Sequence, residues 1–376
     1  MNYFYASIYA MLWFTFDHGA QAATRELRPA SDGQVVESLA PRLNAVVAKT
    51  ATAQSAANNA RQAIVLARQT ADPRYLGRAQ AMLSPWWDKP DAPVEVAVLQ
   101  ATIMQSRHEF APATQLLEKT LARDPNNAQA WLTLATLHRL AARYELVLQA
   151  CESLTRVGAA LYAQACKLET ISLMGKHSQA LSGLEALFEQ TKDPSIQAWL
   201  LSLQAEAYER AGFDAKALAA YRSSLQINFD GYTALALTDM LLRKEDFNAA
   251  LVSLDKQPSS DAVLLRKAYA LKRLGDVRWK ALAVAAQERF AALDARGDDP
   301  ATHARERALA YAWLEDNMQA ALQSALLNLQ LQKEPLDWRI ALQAAHAAGQ
   351  TQELQKLRHA IAEAGLQDSR LLRWQK

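Results

Sequence analysis

The feature that most constrains this chain is a period. Residues Pro93–Pro125 read PVEVAVLQATIMQSRHEFAPATQLLEKTLARDP. Ala97, Ala101 and Met104 recur at the spacing of one helix face, and Ala113, Leu116, Leu117 and Leu121 do the same after a turn near His108–Phe110. Neither helix hides that face alone, so each hairpin needs another against it. The plan recurs at Ala128–Gly158, Leu161–Lys192, Ala198–Phe229, Gly231–Pro258, from Asp261 with a long second helix to Asp294, at Thr302–Lys333 and at Pro335–Gly365. A repeated helical hairpin of about 34 residues excludes an ordinary single-core domain and predicts an all-α solenoid. Gly and Pro are sparse, at 12 each in 376 residues, which suits helices and leaves little room for sheet.

Punctuation fixes the hairpin ends. Asp72-Pro73 reads as a helix start, with Asp capping and Pro tolerated in the first turn. Asp261 reads as a cap, Gly175 and Gly212 as turns, and Arg296-Gly297-Asp298-Asp299-Pro300 as an interior break. Pro85, Pro90 and Pro93 frame Trp86-Trp87, read as an apolar plug between helices rather than a ligand platform. LQDSRLLRWQK, after Gly365, reads as a short tail or cap.

The start of the chain differs. Tyr3–Phe16 is uncharged, aromatic and apolar, and Ala20-Gln21-Ala22 is a small-x-small site, so residues 1–22 read as an export signal cleaved after Ala22. The alternative is an apolar N-terminal helix of a cytosolic protein. The run is too short for a comfortable membrane span. Residues 23–33 follow as a polar leader and 34–92 as capping helices with a degenerate first repeat; 93–296 carry the main array, and 297–376 the last repeats and a cap. Export gives the two cysteines a meaning. Cys151 and Cys166 fall on helices that a stacked array makes neighbours, and a bridge in an oxidising compartment is worth about 3 kcal/mol. In a reducing compartment the same pair stays as buried free thiols.

Composition and motifs exclude more than they assign. A net charge of +2 gives no broad basic field for nucleic acid. There is no P-loop, no G-x-G-x-x-G, no G-x-S-x-G and no H-E-x-x-H, and the 7 histidines are dispersed, so we expect no cofactor, no metal and no catalytic residues. His138 falls on an inner helix face, where a lone histidine is usually core.

The units resemble tetratricopeptide repeats. Trp131, Leu134 and Ala135 match that family's first-helix pattern, with His138 where an aromatic is usual; Ala205, Tyr208, Gly212, Ala217 and Tyr221 match well, Trp338 and Gly349 in part, and Pro125 fills the closing proline. The resemblance implies a right-handed superhelix of helix pairs whose first helices line a concave surface that binds proteins or peptides. In that register Glu169, Trp199, Glu206, Glu209, Tyr232 and Asp239 line the middle of the groove, and Tyr269, Lys272 and Arg339 line its later part, with Arg266, Arg273 and Arg307 nearby. The groove is then acidic in the middle and basic toward the C-terminus, a split that orients a partner. The family's carboxylate-holding positions fall here on Val98, Thr102, Leu132 and Thr136, which do not match. The reading is a non-enzymatic scaffold, periplasmic and concerned with envelope assembly or secretion; the alternative is a module that binds an extended polymer, peptide or polysaccharide, through Trp199 and Tyr232.

Overall fold

The computed structural model describes residues 52–374. The signal, the leader and residues 34–51 of the capping segment lie outside the described residues. Among the described residues the chain is all helical, without a strand, and the helices come in consecutive hairpins. They are α1 (Ala53–Thr70) with α2 (Arg74–Leu83), α3 (Val94–Ser106) with α4 (Phe110–Arg123), α5 (Ala128–Leu140) with α6 (Tyr144–Arg156), and α7 (Ala160–Leu173) with α8 (His177–Gln190). Then come α9 (Pro194–Arg210) with α10 (Asp214–Ile227), α11 (Gly231–Arg243) with α12 (Phe247–Leu254), α13 (Asp261–Arg273) with α14 (Trp279–Arg296), α15 (Ala304–Trp313) with α16 (Met318–Leu331), and α17 (Pro335–Ala347) with α18 (Thr351–Glu363). The expected solenoid and its register are present.

Local chemistry sets the starts. Asn127, Asp193 and Asp230 each accept a backbone N–H of the helix that follows, at 2.8–2.9 Å for Ala130, Ser195 and Thr233. Asp72 accepts from the Arg74 N–H at 2.9 Å, as expected of the start of α2. At α13 the cap is Ser260, not Asp261: Ser260 Oγ accepts from Val263 at 3.3 Å, and Asp261, one place inside, faces Arg289 at 2.9 Å instead. An aspartate in the first turn still meets the positive end of the helix, which is why either residue looks like a start in sequence. The unit expected at Thr302 begins with a 3-10 turn, Pro300–His303, and becomes α-helical at Ala304.

First and second helices bury different amounts of surface. α6 buries one stripe: Tyr144, Val147, Ala150, Cys151, Ser153 and Leu154. α5 is buried on every side from Thr133 to Leu140. A helix covered all round has something on both sides. On one side lie the second helices. On the other lies the far end of the same chain, because the solenoid returns on itself. The core that holds α15 to α18 also takes in Tyr144 and Leu173, from hairpins far earlier in sequence.

The return is in register. The Lys333 N–H donates to the Leu140 carbonyl at 2.7 Å, and the Gln367 N–H to the Leu173 carbonyl at 2.8 Å. One hairpin earlier, the His108 ring lies against Thr302, Arg305 and Glu306. Arg139 and Glu334, 195 residues apart, pair at 3.1 Å, and the other contacts keep almost that separation. Thus the last hairpins rest, unit for unit, on the intra-hairpin turns of the early ones. Gly175 makes one of these contacts possible. Its φ is +89°, and a Cβ there would sit 2.9 Å from Cγ and 3.0 Å from Cβ of Gln367.

The expected tail is a folded cap. Ser369–Trp374 forms a 3-10 turn with Leu371 and Trp374 buried in the C-terminal core. Trp86 and Trp87 pack on the core of α1 to α3, the plug role expected of them. The Cys151 and Cys166 sulfurs lie 2.06 Å apart, joining α6 to α7 with a Cα–Cα distance of 5.8 Å.

Candidate binding surface

The inner surface is built mainly on the first helices, with the C-terminal cap added to it. A recurring arginine sits there: Arg139, Arg210, Arg243 and Arg273. A cation at a helix C-terminus is favoured by the exposed carbonyls, which gives these positions a local reason. The guanidiniums of Arg139, Arg243 and Arg273 then reach acids on neighbouring units, while Arg210 pairs with Glu206 of its own helix and donates to the Ser172 hydroxyl.

Glu209, expected in the groove, is 4 % exposed and is the hub of this surface. It accepts from Arg243 at 2.9 Å, from the Tyr221 hydroxyl at 2.9 Å and from Arg370 at 3.0 Å. The Ser369 hydroxyl adds a bond to its carbonyl at 3.1 Å. Burial works against the Arg370 charge, but Asp368 and Glu209 hold its pKa well above the usual value. Glu206 faces Arg210 at 3.4 Å and takes a hydrogen bond from Tyr232; burial, with Glu169 nearby, raises its carboxyl above the usual range. Glu169 faces Arg139 at 3.4 Å. Asp239 is held by both ends of Arg266, at 2.8 and 2.6 Å. Arg339 is half-buried among Asp239, Arg370, Glu209 and Arg243, and burial lowers its pKa.

Glu169, Glu206, Glu209, Tyr232, Asp239 and Arg339 therefore share one charged surface. The other three expected groove residues sit elsewhere. Trp199 stacks on Tyr162 at 5.8 Å in the seam between hairpins. It lines a small polar cleft with Ser202, Ser224, Asp230 and Thr233, which leaves about 10 Å³ for a water-sized molecule. Tyr269 stacks on Trp313 at 4.7 Å and meets Phe247 edge-on. Lys272 is tied to the Trp313 and Leu314 carbonyls at 3.0 and 3.1 Å and to Asp316 at 2.7 Å.

The charge split expected to orient a partner is used within the chain. Acids of the middle hairpins meet Arg370 of the cap, and Arg139 meets Glu334 of the last hairpin. A second cluster supports this closure: Arg305 grips Asp337 at 2.6 and 2.8 Å and Glu334 at 2.8 Å, and Asn328 adds a bond to Asp337 at 2.7 Å. Burial opposes the Glu334 charge, but Arg305 and Arg139 draw its pKa down to about 2. Sequence reasoning missed Arg139, Arg210, Arg305 and Arg370; the repeated arginine near the end of first helices was the visible signal for the first two.

Among the described residues no group of three or more His, Cys, Asp or Glu is placed to hold a metal ion. None of their helices is long and apolar enough to cross a membrane.

No protein-family model matches the chain, and no curated protein matches it in sequence. Solved structures do match. The Rap protein complexed with competence and sporulation factor superposes with a TM-score of 0.54 at 10% identity, over 86% of this chain and 92% of that one. PilF of Pseudomonas aeruginosa gives 0.38 at 15% identity, over 54% of this chain and 93% of its own. A thermophilic tetratricopeptide-repeat protein of Thermus thermophilus gives 0.41 at 19% identity, over 51% and 100%. At these identities the likeness is one of fold: an all-α solenoid of the tetratricopeptide type.

Proposed function

We propose that this solenoid is a non-enzymatic scaffold that binds a protein or peptide partner on the inner surface of its first helices. The observation that carries the reading is Tyr232 on that surface, hydrogen-bonded to Glu206 and still 39% exposed after the chain has closed on itself. The solved Rap structure, similar in fold, holds competence and sporulation factor, which is in keeping with the reading. Export to the periplasm, with a role in envelope assembly or secretion, completes the proposal. Its support is the apolar Tyr3–Phe16 run before Ala22, and the closeness of Cys151 and Cys166 fits an oxidising compartment.

The polymer-binding reading needs two aromatic faces. Trp199 turns one face to Tyr162 and is half-buried, so Tyr232 alone remains, and protein binding is favoured.

The test is a photo-crosslinking amino acid placed at Tyr232 and, separately, at Val284, which is 52% exposed on α14. A partner captured from position 232 and not from 284 supports the inner surface. Equal capture from both, or capture from 284 alone, rejects it. For export, N-terminal sequencing of the mature protein should begin at Ala23; intact Tyr3–Phe16 in a cytosolic fraction refutes that part.

A further inference from the structure

One guanidinium on the inner surface is left over. The carboxylates that act on Arg339, Asp239 and Glu209, are engaged by other cations, and so are acids further along the same surface. Glu209 is held by Arg243 and Arg370, and Asp239 by both ends of Arg266. Asp368 is held by Arg370 at 2.6 Å, and Asp214 by Arg243 at 2.6 Å and Lys244 at 3.2 Å. Glu206, next along α9, is given to Arg210 and Tyr232. Arg339, on the inner side of α17, makes no hydrogen bond or ion pair with any described residue, although it is half-buried. Beside it Arg243 keeps a buried Nε with no partner. Thus the two carboxylates that act on Arg339, Glu209 and Asp239, are already held by Arg243, Arg370 and Arg266.

A partly desolvated guanidinium with an unused fork is costly unless something fills the fork. Its planar pair of N–H groups matches two oxygens of one anion. We propose that Arg339, with Arg243 and Arg370 adjoining it, forms a binding site for a compact oxyanion, a phosphate or a carboxylate group. Arg339 stands on α17 and the charges that act on it stand on α9, α11 and the C-terminal cap, so an anion there bridges the last hairpin and the middle ones. It does not depend on a protein partner, and small ions alone test it.

The experiment is isothermal titration of the full mature chain with inorganic phosphate and, in a second arm, acetate, at matched ionic strength in chloride buffer. We expect saturable binding of at least one of them. Arg339→Met should weaken it about tenfold or more, the loss of a charge-assisted pair. Arg339→Lys keeps the charge but not the fork; it should bind more weakly than wild type, and it keeps the test open if Arg339→Met does not fold. Arg278→Met, at an exposed surface pair, should bind like wild type. Binding of phosphate alone assigns the phosphate class, of acetate alone the carboxylate class, and of both a general oxyanion site. No saturable binding of either ion, or equal binding by wild type and both Arg339 variants, overturns the proposal.

Discussion

Gly175→Ala tests whether the closure of the solenoid is a real energetic contact. Two costs apply at this position. A left-handed alanine costs about 1–2 kcal/mol over glycine. Its Cβ would also press on Gln367 at 2.9 and 3.0 Å, and neither atom is the free end of a side chain, while the Gln367 N–H is pinned to the Leu173 carbonyl. Overpacking of that kind costs about 1–3 kcal/mol. Gly275 supplies the reference: its φ is +75°, and nothing lies within 4 Å of its Cβ position, so Gly275→Ala carries the backbone cost alone. The loss of unfolded-chain entropy is common to both substitutions and cancels between them. Urea denaturation followed by circular dichroism should therefore show Gly175→Ala less stable than Gly275→Ala by about 1–3 kcal/mol. Gln367→Gly removes both clashing atoms and should erase most of that difference in the double variant. Trypsin cleavage after Arg370 should quicken in Gly175→Ala and not in Gly275→Ala. Equal losses for the two alanine variants, with no rescue by Gln367→Gly, would refute the reasoning.

Arg305→Met strands Asp337, which is 1% exposed, and should cost about 3–5 kcal/mol by thermal or urea denaturation; a loss below about 1 kcal/mol counts against the cluster as a closure element. Reduction of a Cys151–Cys166 bridge should lower stability by about 3 kcal/mol for its 15-residue separation, and mass analysis of the mature chain with two free thiols removes the premise. Acid should open the closure in two steps. Burial lowers the pKa of His108, which faces Glu306, Arg305 and His303, and of His177, which faces Arg210 and Asp368. Each favours the folded state fully above 6.5, and that contribution is lost as pH falls through the depressed folded value. Glu334 follows: its share is present above 4.5 and is lost as pH falls toward about 2. A pH series of denaturation midpoints checks this, and a flat profile from about pH 7 to 3 contradicts it.

The parts of this fold that were legible in sequence are the local ones. The period of Ala113, Leu117 and Leu121 needs only one helix to be read, and Gly175 and Gly212 announce turns wherever they fall. The cap at α13 slipped by one residue because Ser260 and Asp261 are both good starts. What lay beyond reach was the pairing of Arg370 with Glu209 and of Glu334 with Arg139. Periodicity tells which face of a helix is inward, not which distant hairpin arrives there. Hence Glu209 and Asp239 could be assigned to the inner surface, while the guanidiniums that occupy them could not. Trp199 and Tyr269 show a further limit: an aromatic on a first helix serves equally well in a stack on a neighbouring hairpin, as with Tyr162 and Trp313, and the sequence pattern is the same.

The near-constant separation of the contacts at His108–Thr302, Leu140–Lys333 and Leu173–Gln367 has a consequence for how such a chain changes length. An open array of hairpins gains or loses a unit at either end, or in the middle, with little harm to the rest, because each unit knows only its neighbours. Here the far end must land on particular turns. Deleting one hairpin between Gly175 and Pro300 would bring the wrong unit to each landing site and set Arg370 and Glu334 opposite strangers. The chain thus counts its own units, and its topology is that of a loop with a fixed circumference rather than a rod of arbitrary length.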